Sequence, residues 1–260
     1  MAIYVLSLGI TCFFVLLFLR FFTNKADILM FKRGHSSLVI ALGSIGTPIH
    51  EIGHAITAVL FGHKVLKVEL FNPKPNGQLG VVHHSYDPSK FYHRIGCFFI
   101  GIAPIFSGLI ACWVLTSVLW PEFSVDELVM SVSRIIQQDG LISAVEWFYR
   151  NTFSSHLDMW LLDWKRYLLW AVLVTSVVKH MLPSMPDMDG VKRGVIHFTV
   201  FLYICYCLFP NLVSNFLESQ LLFLLSILVV FVAYVVMSQL VILGLSQLLY
   251  IRKKRKCLKT

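Results

Sequence analysis

The sequence predicts an all-α polytopic membrane protein, with about six transmembrane helices and a short re-entrant β-hairpin after the second. Three observations predict it. Hydrophobic residues fill 57% of the 260 positions and charged residues only 14%, against roughly 25% charged in a soluble domain. Mean hydropathy is +0.74. Apolar stretches of the length that spans a bilayer as a helix, about 20 residues, recur along the chain, and a Pro-Asn-Gly-rich turn at 72–77 interrupts them once. The same figures exclude a soluble globule, a disordered chain, collagen and a small disulfide scaffold.

The spans follow in order. Residues 1–22 are apolar but lack a basic leading segment and a small-residue cleavage site, so they are expected as a retained span and not a signal peptide. The remaining spans are placed at 36–61, 95–121, 167–182, 194–217 and 220–251. Six crossings put both termini on one side. With the N-terminus inside, Lys64, Lys67, Lys74, Lys90, Arg94, Lys192, Arg193 and the run Arg252–Lys256 fall on the inner side. Arg20, Lys25, Lys32, Arg33, Arg134, Arg150, Lys165 and Arg166 fall on the outer side. The positive-inside rule then places both termini in the cytoplasm of an integral protein, of the cytoplasmic membrane.

The net charge of +8 is accounted for by this loop placement and by attraction to anionic headgroups. No nucleic-acid partner is expected, because the basic tail follows a span and has no interleaved aromatics. Five of the six Cys (Cys12, Cys97, Cys112, Cys205, Cys207) stand in apolar stretches and are expected as packing residues.

Two connections carry structure of their own. Residues 65–84 alternate in parts around Asn72-Pro73-Lys74-Pro75-Asn76-Gly77, which reads as a hairpin. Its edges, 65–70 or 79–82, would offer backbone groups to an added strand, with Gly77 and Gly80 permitting close approach. Residues 124–152 open with Ser124 and Glu127 in capping-box spacing, repeat apolar residues at helical period, and break at Asp139-Gly140. An interfacial helical hairpin and a hairpin docked on the bundle both fit. The whole chain is one domain: a core over 36–217, an insertion over 122–161 and a basic tail over 252–260.

The chemistry lies in His50-Glu51-Ile52-Gly53-His54, inside the second span. On a helix, residues i and i+4 share a face, so both imidazoles reach one Zn²⁺ while Glu51 reaches its water as general base. Random order would give about 0.01 such matches in a chain of this composition. Two His and a Glu in mid-span are also costly unless used. A third protein ligand is required. Leu60 occupies the place where a third His would follow, and Glu69 falls in the hairpin. Asp187 and Asp189, in the Pro-rich turn 182–190 between two spans, are the better candidates. The other histidines (His63, His83, His84, His93, His156, His180, His197) are expected to be interfacial or capping, His180 being notable for its nearness to the carboxylate loop.

With these residues in place, the sequence resembles the site-2 protease family of intramembrane zinc proteases. The likeness rests on His50–His54, on Pro186-Asp-Met-Asp-Gly190, on the hairpin after the first motif, and on Gly101-Ile-Ala-Pro104-Ile-Phe-Ser107-Gly108. Ala103 and Ser107 stand where the family has Gly and Asn. The resemblance implies a zinc endopeptidase that cleaves a transmembrane protein substrate, with Ser107 as a shortened substrate-binding group. Its Leu-Asp-Gly ending would select Asp189 as ligand and its divergent Asp-hydrophobic-x-Gly form Asp187. It covers the second to fifth spans. Substrate choice would rest on the spans, the hairpin and the insertion, or on a regulatory membrane partner. The alternatives are a catalytically silent scaffold or chaperone of the same fold, and a metal or proton transporter; no internal repeat supports the transporter.

Overall fold

The computed structural model describes residues 18–34, 36–74, 77–213 and scattered positions between 216 and 251. The larger part of the first expected span, much of the sixth, and the basic tail 252–260 lie outside the described residues. The chain is mostly helical, with one two-stranded antiparallel sheet. In order, α1 covers residues 18–32. It is followed by α2 (Ser36–Leu60), β1 (Lys64–Glu69), β2 (Val81–Ser85), α3 (Phe91–Leu119), α4 (Val125–Leu162), α5 (Trp164–His180) and α6 (Met185–Leu208).

The hairpin forms where the Pro-Asn-Gly turn placed it. Val68 pairs with Val82 and Glu69 with Val81, and the register slips between Val65 and Lys67. Gly77, at φ +85°, turns the loop, and its N–H donates to the Lys74 carbonyl at 2.9 Å. Glu69 bridges Lys67 and Lys74 at 2.8 and 3.0 Å, tying strand to turn. Further on, the chain at Leu79 and Gly80 returns to lie against Gly43, Thr47 and Glu51 of α2.

α3 and α6 are the described helices long and apolar enough to cross a membrane. α2 has 25 residues, but His50, Glu51 and His54 interrupt its apolar run, and α5 stops at 17 residues. α3 packs against α2, α5 and α6, so the three site-bearing elements meet around it. Glycines set the α3–α6 distance: a Cβ at Gly101 would lie 2.6 Å from the Asp187 carbonyl oxygen, and one at Gly194 would strike the Phe98 backbone. The outer faces stay apolar, with Ile110, Val118, Ile196 and Tyr203 exposed.

One expected boundary is corrected. The carboxylate segment was expected in a turn before a span beginning at 194, yet α6 starts at Met185. The prolines caused the difference. Pro186 sits in the first turn, where a missing N–H costs no helical bond, and Ser184 caps the helix. What looks like a turn is a helix start.

α4 breaks at the expected place. Ser124 Oγ accepts the Glu127 N–H at 3.1 Å to start it, and Gly140 adopts φ 86° and ψ 175° inside it. In a straight helix Leu128 and Phe148 would stand about 30 Å apart. Instead Leu128, Val132, Ala144 and Phe148 share one buried cluster with Ala233. The hairpin is therefore docked on other helices. That backbone region is open to glycine alone, so Gly140→Ala should lower stability by roughly 1–3 kcal/mol. Thermal denaturation in detergent checks it, and an unchanged midpoint would mean that the break is not kept.

Candidate metal centre

Two helices, α2 and α6, bring His50, His54 and Asp187 together, with their candidate ligand atoms all within 4.8 Å of one another. His50 and His54 are one turn apart on α2, as their spacing requires. Their Nε2 atoms lie 3.0 Å apart. Asp187 Oδ2 is 3.4 Å from His50 Nε2 and Oδ1 is 3.1 Å from His54 Nε2. A tetrahedral ion with bonds near 2.0–2.1 Å needs ligand atoms about 3.3 Å apart. The triangle has that size.

The tautomers follow from the partners. His50 Nδ1 lies 2.7 Å from the His180 carbonyl and His54 Nδ1 lies 2.8 Å from the Ile100 carbonyl. A carbonyl only accepts, so each Nδ1 carries the proton and each neutral ring turns an Nε2 lone pair inward. Two lone pairs and a carboxylate then face one point. A cation satisfies all three at once.

The sequence explains why those two carbonyls are available. His180 ends α5, and carbonyls in the last turn of a helix have no intrahelical partner. Ile100 lies in mid-helix, but the residue four positions on is Pro104, which has no N–H. Each imidazole thus takes an acceptor that its helix leaves free. Asp187 is fixed in turn by the cap of α6: Ser184 N–H donates to its Oδ2 at 2.6 Å, and its own N–H donates to Ser184 Oγ at 3.4 Å.

Glu51 is buried, at 6% exposure. The hairpin covers it, since a Cβ on Gly80 would come within 2.8 Å of the Glu51 Cγ. Glu51 lies within electrostatic reach of His50, His54 and Asp187, so the four side chains share one secluded place.

Of the two candidate carboxylates, Asp189 stands apart from the imidazoles. Asp189, two residues on, is 57% exposed and pairs with Lys192 at 3.0 Å. On a helix, two residues' separation points it to a different face from Asp187, so the helical start that removed the turn also separates the two carboxylates. Ser107 Oγ donates to the Pro104 carbonyl at 3.2 Å and abuts Gly53 on α2.

The other histidines divide by location. His63 joins the hairpin base to α3, with Nε2 donating to the His93 carbonyl at 2.8 Å and Nδ1 2.9 Å from His84 Nδ1. Burial, and then the neighbouring His63, push the His84 imidazole down to about 4. The His180 ring bonds the Ser176 carbonyl at 2.9 Å, so its contribution to the site is its backbone oxygen. The sequence pattern pointed to His50, His54 and, with Asp189 as the alternative, Asp187, but not to the carbonyls of Ile100 and His180. Pro104 inside an apolar stretch was the available signal for the first.

An apolar cavity of about 80 Å³, lined by Cys112, Thr116, Leu128, Trp170 and Met181 among others, lies between α3, α4 and α5 and does not include the metal ligands.

No family model, curated protein or solved structure matches the chain.

Two measurements test the centre. Purified protein loaded with zinc should hold one ion per chain by elemental analysis; Asp187→Asn should lose it and Asp189→Asn should keep it, and the reverse pattern would reassign the ligand. Pro104→Ala returns an N–H that competes for the Ile100 carbonyl. It should weaken metal affinity about 10–100-fold against a competing chelator, whereas unchanged affinity would remove that carbonyl from the account.

Proposed function

We propose that the chain is a zinc-dependent intramembrane endopeptidase that cleaves a membrane-protein substrate within or near the bilayer. One observation carries the reading. The two imidazoles and Asp187 converge at tetrahedral ligand spacing, with Glu51 adjacent in sequence to His50 and buried in the same place. Zinc suits the donor set: two nitrogens and one carboxylate are ligands of catalytic zinc, leaving a fourth position for water. When bound there, zinc supplies Lewis acidity that lowers the pKa of water and polarises a carbonyl.

The chain's own residues supply the rest. The His180 and Ile100 carbonyls hold the imidazoles in the ligating tautomer. Glu51 takes the proton from the attacking water and delivers it to the leaving amide nitrogen, so one carboxylate serves as base and then as acid. The buried setting keeps both charges effective by excluding bulk water. His50, on this reading, lies roughly 20 Å along the second span, so the substrate helix must unwind at membrane depth.

The setting proposed is a six-span integral protein with both termini cytoplasmic, in which the apolar outer faces of α3 and α6 meet lipid. The occurrence of Glu51 inside an otherwise apolar helix favours catalysis over a silent scaffold, because a buried carboxylate that contacts no cation and does no chemistry is costly.

Glu51→Gln separates base from ligand. It should retain one zinc per chain and lower cleavage by about 10²–10⁴-fold, seen as uncut membrane proteins accumulating when membranes carrying wild-type and variant protein are compared by proteomics. Identical proteomes would end the protease reading and leave a metal-binding scaffold or transporter.

A further inference from the structure

Gly43, Thr47 and Glu51 stand at i, i+4 and i+8 on α2, one row along a face of the helix. The hairpin lies along this row. A Cβ on Gly80 would come within 2.8 Å of both Glu51 Cγ and Thr47 Cγ2, so the two side chains border one spot beneath the hairpin. One turn further from Glu51, a Cβ on Gly43 would strike Leu79 Cδ1. The same point lies 3.4 Å from His180 Nε2 and 3.5 Å from Thr47 Oγ1. A leucine methyl group, a ring nitrogen and a hydroxyl thus meet over Gly43.

The two polar atoms there are complementary. His180 Nδ1 lies 2.9 Å from the Ser176 carbonyl, which only accepts, so Nδ1 carries the proton and Nε2 keeps a lone pair. Gly46 makes room for that ring, since a Cβ there would come within 2.8 Å of Nδ1. Thr47 is 6% exposed, and its Oγ1 is buried with no hydrogen-bond partner among the described residues. A buried hydroxyl left unpaired is costly, and the Leu79 side chain has no group to pair with it. One donor beside one acceptor matches the C=O and N–H that a residue of extended chain turns to the same side. Thr47 is one turn from Glu51, about 6 Å along the helix axis, which is the length of about two residues of extended chain.

We propose that Thr47 and His180 form a substrate-backbone subsite about two residues from the scissile bond, and that Leu79 covers it until a substrate segment takes its place. This rests on the hydrolase reading above. Thr47 Oγ–H donates to the carbonyl of the substrate residue, and His180 Nε2 accepts that residue's N–H. His180 then serves twice, its backbone oxygen holding His50 and its ring holding substrate.

Two phosphinic peptides serve as probes, titrated calorimetrically into the full-length zinc-loaded protein in detergent: tetraleucine, with two residues on each side of the phosphinate, and dileucine, with one. Thr47→Val keeps the shape of the side chain and removes the hydroxyl. It should weaken tetraleucine binding about 3–10-fold and leave dileucine binding as in wild type, and Thr47→Ser should recover the loss. Leu79→Ala should tighten tetraleucine binding, a change of the opposite sign. Methylating the outer leucine nitrogens one at a time should cost a similar factor at one of them, by removing the N–H that His180 accepts. Wild-type affinity for tetraleucine in folded, zinc-loaded Thr47→Val protein would overturn the proposal and leave the hydrolase reading intact. An equal loss for both peptides would overturn it too, by making Thr47 part of the packing around the metal, as would full affinity of the wild-type protein for both methylated probes. If wild type bound neither phosphinate and cleaved nothing, the hydrolase reading would fail and this proposal with it.

Discussion

The structure depends on two hydrogen bonds, from His50 to the His180 carbonyl and from His54 to the Ile100 carbonyl. Each links α2 to a different helix, and each fixes a tautomer. Charge-neutral hydrogen bonds of this kind contribute about 0.5–1.5 kcal/mol apiece to stability, so their importance is directional and not chiefly energetic. They determine where two lone pairs point. Without them the imidazoles could present either nitrogen, and the short distances to Asp187 would have no chemical meaning.

The surrounding helices can be understood as ways of supplying those acceptors and the third ligand. α5 offers its terminal carbonyl, and its neighbouring Lys179 is pinned by Asp27 from α1. Breaking a buried ion pair by removing one partner costs about 3–5 kcal/mol, which makes this pair a stiff clamp on the end of α5. α3 offers a carbonyl released by Pro104, and its Gly101 lets α6 approach until Asp187 lies across from α2. The hairpin contributes Gly80, whose missing side chain lets backbone rest on Glu51. Small residues and a proline, which carry no chemistry, thereby set the geometry of those that do.

Much of this was legible in the sequence. His50, Glu51 and His54 were readable because a helix's period converts a spacing of four into one face. The hairpin was readable from Asn72 to Gly77, and the break in α4 from Asp139-Gly140. The start of α6 was not, since Pro183 and Pro186 have the same composition in a turn as in a capped first helical turn, and only the Ser184 cap distinguishes them. The choice between Asp187 and Asp189 depended on that boundary. The Ile100 and His180 carbonyls were hidden for a different reason: backbone groups have no residue identity, and which ones lie opposite an imidazole is set by tertiary packing.

Zinc K-edge X-ray absorption on the purified, zinc-loaded protein tests the central claim most directly. The account predicts a four-coordinate ion with nitrogen and oxygen neighbours at about 2.0–2.1 Å, outer-shell scattering from two imidazoles, and an unchanged spectrum in Glu51→Gln. A spectrum without imidazole scattering, or one with sulfur neighbours near 2.3 Å, would contradict it.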